Sequence, residues 1–411
     1  MNPNAKLLWR APLWALSILL ATLGMLGPFS VDTYIPAFSA IAGSLGATPV
    51  EMQQTLSGYL MGFAVMSLFH GAISDSVGRR PVVLWGLAAF TLASLGCALS
   101  QTIEQFVFFR ALQGISSGAG IVVARAVVRD MFAPSQAQRV MSQITLFFGV
   151  APAIAPLIGG WLLVWFNWHS IFWFLVLVGL AQWVANYKLL PETLAPEQRQ
   201  PFEVKHLMRG YWKLGSDPRF LLLAVASGVP FNGMFLYVLS APAFLGELLA
   251  LAPTQFFWLF IFTISGIMTG AWLSGRNAGK LTPKRQIQLG FLVLLVAGCI
   301  NLAANMLFKA EAFWALWPIA FLALGWAVMT PSITLLVLDL HPERRGMASS
   351  LQTFITATVN ALVAGVLAPL VMHSTQWLAA SALGFGLVGL VAWLVVHRRW
   401  PDLGRSLHAA H

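Results

Sequence analysis

Twelve runs of mostly apolar residues follow one another along the chain, separated by short polar segments. They fall near 12–38, 52–74, 81–101, 104–127, 138–163, 168–190, 219–245, 253–275, 287–308, 312–338, 347–372 and 376–397. Each is long enough to cross a bilayer as a helix, which takes about 20 residues. The pattern predicts an all-α membrane protein with twelve transmembrane helices. Lys6 and Arg10 precede the first run as they would in a signal peptide. That run is too long, lacks a small-residue cleavage site, and continues to Asp32 and Pro36, so we read it as a retained first helix.

Composition agrees. Of 411 residues, 58% are hydrophobic and 9% charged, and the mean hydropathy is +0.77. Soluble domains carry about 25% charged residues. A soluble enzyme and a disordered chain are excluded. So is a nucleic-acid partner, despite a net charge of +10, because the basic residues lie in short loops between apolar runs. Cys97 and Cys299 both sit inside apolar runs, so no disulfide framework, metal site or cofactor is expected. The 17 Trp and 29 Phe suit interfacial belts and an aromatic cavity.

With both termini cytoplasmic, 22 of the 24 Lys and Arg fall in cytoplasmic segments, and only Lys309 falls outside. The positive-inside rule therefore fixes the expected orientation. The longest polar segment, 191–218, reads as a plain cytoplasmic linker. It separates an N-terminal six-helix half (1–190) from a C-terminal half with a short tail (219–411). Pro28-Phe29 recurs as Pro230-Phe231, Ala155-Pro156-Leu157 as Ala368-Pro369-Leu370, and Gly114 as Gly325. The offsets of 202, 213 and 211 residues fit one duplicated unit, hence two pseudo-symmetric halves.

Of 14 acidic residues, Asp32 alone lies within a span, and Arg110 is its basic counterpart. A charge in the bilayer costs roughly 2.5–3.5 kcal/mol on insertion scales, so both residues mark a functional site. Counting along their helices places them at similar depth in the outer half, where they would face each other across the interior of the first half. A proton site at Asp32, tuned by Arg110, is the expectation; a purely structural ion pair is the alternative. His169, His341 and His373 sit at span ends and are not expected to relay protons.

The loop after the second span reads GAISDSVGRRP, residues 71–81. Gly71 allows close helix approach and Gly78 a tight turn. Asp75 is expected to accept from a neighbouring helix N-terminus, and Arg79 to pair with Asp130, latching cytoplasmic helix ends. The loop, with Arg80 completing it, resembles the G-x-x-x-D-x-x-G-R-[RK] signature of the major facilitator superfamily. FFRALQG (108–114) is similar to that superfamily's fourth-helix motif, in which the Arg is linked to proton coupling. APAIAPLIGG (151–160) resembles its antiporter motif, with Pro152 alongside the matching Pro156, Gly159 and Gly160. Ala155 stands where that motif has Gly. GPFSVDTYIPAF (27–38), ARAVVRDMF and LPETL further resemble the Bcr/CflA drug-resistance transporters across nearly the whole chain.

That resemblance implies the major facilitator fold and proton-driven export of small-molecule drugs, such as bicyclomycin, chloramphenicol-type compounds and sulfonamides. It also implies a multi-pass protein of the bacterial inner membrane, with Asp32 as the acidic site and Arg110 as its partner. A central cavity between the halves would draw polar and aromatic lining from Tyr34, Tyr59, Gln143, Asn232, Tyr237, Gln352 and Asn360, and apolar walls from Phe29, Phe231, Met234 and Phe235. The loop 275–286 has no Asp like Asp75, so a second latch there would be degenerate. A proton-coupled importer or a narrow metabolite exporter of the same fold is the runner-up. No P-loop and no clustered intramembrane His or acids point to a nucleotide-driven pump or an enzyme. A monomer suffices for this mechanism.

Overall fold

A computed structural model describes residues 13–132, 151–277, 280–341, 344–401 and 403. The first part of the expected fifth span, including Gln143, lies outside these. Among the described residues the regular structure is all helical. Nine helical stretches are long and apolar enough to cross a membrane, and the count is eleven if each of two bent helix pairs is one span. The apolar helix Ala151–Trp165 is shorter.

The chain divides into two compact units, Met1–Val204 and Lys205–His411. In the first unit the helices are α1 (Leu13–Asp32), α2 (Phe38–Leu45), α3 (Pro49–Ser67), α4 (His70–Val77), α5 (Arg79–Leu99), α6 (Ile103–Met131), α7 (Ala151–Trp165) and α8 (His169–Leu189). The central helix is α6, which packs on α1, α3 and α5, while α8 packs on α5 and α1. The second unit contains α9 (Val204–Gly215), whose first residue falls at the boundary, α10 (Pro218–Gly228), α11 (Asn232–Leu239), α12 (Phe257–Asn277), α13 (Pro283–Leu307), α14 (Trp317–Leu340), α15 (Arg345–Leu362) and α16 (Thr375–Arg399). Here α14 packs on α10, α12 and α13, and α16 on α10, α11 and α13.

Local sequence explains where these helices start. Thr48-Pro49, Asp217-Pro218 and Thr282-Pro283 each place a capping side chain ahead of a proline that has no N–H to lose. Thr48 and Glu51 complete a reciprocal capping box. Breaks follow equally local causes. Pro230 lies between α10 and α11, which meet at a 50° bend. Pro28 lies inside α1, which ends four residues later. The outward faces carry large apolar side chains such as Trp85, Leu92, Leu177 and Leu292, as lipid contact requires.

The 191–218 segment is more than a plain linker. Its first part is pinned to the first unit through Glu192, Thr193 and Gln200. Its second part forms α9, which docks on α15 through Gly210, Tyr211 and Gly215.

Candidate functional site

Pro28 cannot donate to the carbonyl one turn back, and α1 terminates at Asp32. The chain then turns through Thr33 and Tyr34 into a short 3-10 turn, Ile35–Ala37. The last carbonyls of a helix have no partner within it, and they carry the negative end of its dipole. Arg110 of α6 answers both needs. Its Nη1 donates to the Ser30 carbonyl at 2.9 Å and to Gln113 Oε1 at 2.6 Å. The guanidinium lies 4.3 Å from the Tyr34 ring centroid and 4.6 Å from that of Tyr59. It is fully buried between the two rings.

A polar network continues outward from this centre. Gln113 Nε2 donates to Ser94 Oγ at 2.7 Å. Ser30 Oγ donates to the Tyr59 hydroxyl at 2.7 Å, and the Tyr34 hydroxyl is 2.8 Å from Thr55 Oγ1. Phe106, Phe172 and Trp168 pack around Tyr34 and one another. Together these contacts tie α1, α3, α5 and α6 at one level. Arg110 Nε and Nη2 are buried with no hydrogen-bond partner among the described residues.

Asp32 is 6% exposed. The expected face-to-face pair with Arg110 is not made: among the described residues Asp32 has neither an ion pair nor a hydrogen bond. The guanidinium is instead held between the Tyr34 and Tyr59 rings, with Nη1 on the Ser30 carbonyl at the end of α1 and on Gln113. An ionised carboxylate left in such a place carries a desolvation cost of several kcal/mol.

Glycines bring the backbones together here. A methyl group on Gly159 of α7 would strike the Thr33 carbonyl, immediately after Asp32. One on Gly114 would strike the Tyr59 carbonyl. Ala155, Pro156 and Gly160 are buried and Pro152 is half-buried on the same helix.

At the end of α4 the signature loop forms a compact ion cluster. Arg79 Nε donates to Asp130 Oδ2 at 3.0 Å, and its Nη1 donates to Asp75 and to Ser74 Oγ. Asp75 does not cap a neighbouring helix with its carboxylate, because Arg79 occupies it. Glu192 does that work, accepting from the Arg79 and Arg80 backbone N–H groups at 3.0 and 3.2 Å. Thr193 Oγ1 donates to Asp130 at 3.0 Å. Arg80 donates to the Tyr187 carbonyl at 2.5 Å and lies over the Tyr187 ring. Gly78 has φ +109°, which L side chains rarely adopt, and the Glu192 carboxylate fills the space a side chain would need. A methyl group on Gly71 would meet Val122 at 3.9 Å, an ordinary contact, so this glycine is not required for close approach.

In the second unit, Ser227 is the meeting point. Its carbonyl accepts from Trp326 Nε1 at 2.8 Å, and its hydroxyl from Gln352 Nε2 at 2.9 Å. Phe231 packs between Trp326 and Phe235, at centroid distances of 5.0 and 5.1 Å. Asn232 and Asn360 are buried, each with an amide oxygen lacking a partner among the described residues. Met234 is buried. Tyr237 is locked by Asn301, whose Nδ2 donates to its hydroxyl at 2.7 Å. Phe29 of the first unit packs on Phe174 of α8. Asp217 caps α10. Burial pushes its carboxyl up, but the hydrogen bonds and charge of Arg219 and a contact from His341 hold it below the usual carboxylate range.

Sequence reading missed Gln113, Ser227, Trp326, Glu192 and His70. The last is buried at the 47° break between α3 and α4, and its Nδ1 has no hydrogen-bond partner among the described residues. A histidine inside an apolar run was the available signal. Among the described residues no group of three His, Cys, Asp or Glu is placed to hold a metal.

A family model described as Major Facilitator Superfamily matches residues 20–365. The chain is 29% identical over 356 residues to a bicyclomycin resistance protein homolog of Haemophilus influenzae, covering 86% of this chain and 89% of the relative. It is 27% identical over 397 residues to multidrug resistance protein D of Escherichia coli, covering 95% and 98%. A crystal structure of the peptide transporter POT in complex with sulfate superposes with a TM-score of 0.78 at 17% identity, covering 98% of each chain, and shows likeness of fold. The chain is a multi-pass membrane transporter rather than an enzyme, and it belongs to the Major Facilitator Superfamily, in its Bcr/CflA-type group.

Proposed function

We propose that this protein exports drugs and other small xenobiotics across the bacterial inner membrane in exchange for protons, working by alternating access with both termini cytoplasmic. The relatives named for bicyclomycin and multidrug resistance support the substrate class. Bicyclomycin-, chloramphenicol- and sulfonamide-type compounds are the first to test.

One observation carries the proton coupling: among the described residues the buried acid Asp32 has no hydrogen bond or ion pair, and Arg110, which holds the Ser30 carbonyl two residues earlier, keeps Nε and Nη2 without a hydrogen-bond partner. In this arrangement Asp32 holds a proton. When the end of α1 beyond Pro28 turns, the carboxylate meets the free Arg110 N–H groups and the proton leaves. Drug binding favours that second arrangement, and the membrane potential adds about 2.3 kcal/mol per charge per 100 mV. Tyr34 and Tyr59 hold the guanidinium at the correct level. Phe231, Asn232, Gln352 and Asn360 supply substrate contacts from the second half. The signature loop, with Gly71, Asp75, Gly78, Arg79, Arg80 and Asp130, holds cytoplasmic helix ends together in one state. The motif at Pro152, Pro156, Gly159 and Gly160 keeps α7 tight against the proton site.

The test is drug accumulation in everted vesicles. An inside-acid pH gradient should drive uptake, and collapse of the gradient should abolish it. Uptake indifferent to the gradient would replace antiport with uniport or another coupling ion.

A further inference from the structure

The helix α9, VKHLMRGYWKLG, carries three consecutive sectors around its axis at about 100° per residue. The first sector, Gly210, Leu207, Tyr211 and Leu214, faces the protein. Tyr211 and Leu214 are buried, Tyr211 bonds Ser350, and Gly210 closes on Met347 of α15. The next sector is Val204, Met208 and Trp212, spaced four apart. All three are exposed, at 47%, 37% and 79%. Beyond it come Lys205, Arg209 and Lys213, again four apart and exposed, with His206 at the edge. The helix contains no acid; Glu203 precedes it.

Its position matters as much as its pattern. Two residues separate its end from Pro218, where the membrane-length pair α10–α11 begins. It therefore lies at a membrane surface. The loop-side excess of Lys and Arg makes that surface the cytoplasmic one.

We infer that α9 is an interfacial helix that docks on anionic phospholipid: Val204, Met208 and Trp212 dip into the acyl boundary, and Lys205, Arg209 and Lys213 contact headgroup phosphates. Charge selects this occupant. Three cations border an apolar edge, and the cytoplasmic leaflet supplies the anions. A Trp at the headgroup level, with Lys and Arg stems extending toward water, is the arrangement such a boundary favours. Anchored on one side to α15 and on the other to lipid, the helix would couple the second unit to the charge of the leaflet.

The test uses the full chain with exposed Cys299→Ser and a nitroxide on Met208→Cys; Cys97 is buried and stays. The protein is reconstituted in phosphatidylethanolamine vesicles with or without phosphatidylglycerol. The label should collide with oxygen more than with a polar nickel chelate when phosphatidylglycerol is present. A label on His206→Cys should show the reverse. Lys205→Gln, Arg209→Gln and Lys213→Gln together should shift the Met208 label several-fold toward water in those vesicles. Three results would overturn the inference: a Met208 label that faces water in both compositions; one shielded from both reagents, meaning protein covers it; or one that sits in lipid with no dependence on phosphatidylglycerol or the three cations.

Discussion

Arg110 holds the Ser30 carbonyl at 2.9 Å and leaves Asp32 alone. The arginine thus acts on the backbone of the first helix rather than on its carboxylate. Arg110→Lys should be a severe change. An ammonium lacks the planar face that sits between Tyr34 and Tyr59, and each such contact contributes about 0.5–2 kcal/mol. Transport should fall by about tenfold or more, with a lower Tm for the purified protein. Tyr59→Phe keeps the ring and loses the hydroxyl's contacts with Ser30, Ser117 and the Gly27 carbonyl, so its cost should be about 1–2 kcal/mol. Equal effects of the two changes, read by transport and thermal melting, would contradict the sandwich.

Gly159 meets the Thr33 carbonyl with no room for a side chain. Gly159→Val should cost about 1–3 kcal/mol by overpacking and should abolish drug uptake. Gly43→Ala, in open space on α2, serves as the control and should melt like the wild type. A Gly159→Val protein with full transport would detach this motif from the proton site.

The two intramembrane charges were legible because Asp32 and Arg110 stand out in apolar runs. Their actual relationship was not. A helix-end carbonyl has no signature in the side-chain sequence, and only the end of α1 at Asp32 exposes the one at Ser30. The twelve-run pattern read the fold well, since hydrocarbon admits so few structures. Glu192 was hidden for a different reason. It looks like any acid in a polar segment, and its partner Arg79 lies 113 residues earlier. Tyr237 looked like cavity lining, yet Asn301 from another helix takes its hydroxyl.

Glu192 and Gly78 form one unit, so their effects should not add. Gly78→Ala forces a side chain into a positive φ, costing about 1–3 kcal/mol, and displaces the carboxylate as well. Glu192→Gln weakens the same contact. A double-mutant cycle by thermal melting should show the pair costing less than the sum of the singles. Additive losses would mean the two positions act separately.

Asp217 gives a pH signature. Its carboxyl is held below the usual range, so its contribution to stability is present above the unfolded value of about 3.9 and is lost as pH falls through the lower folded value. Asp217→Asn should be less stable than the wild type at neutral pH, and the two should converge in strong acid. Parallel stability curves across that range would remove Asp217 from the account.

The most direct test concerns Asp32 in reconstituted vesicles, where gradient-driven uptake and substrate counterflow are measured side by side for the wild type and Asp32→Asn. The asparagine keeps shape and polarity but carries no titrating proton. Counterflow should survive, because drug exchange needs no net proton movement, while uptake driven by the pH gradient should disappear. Gradient-driven uptake that persists in Asp32→Asn would contradict the assignment of Asp32 as the proton carrier.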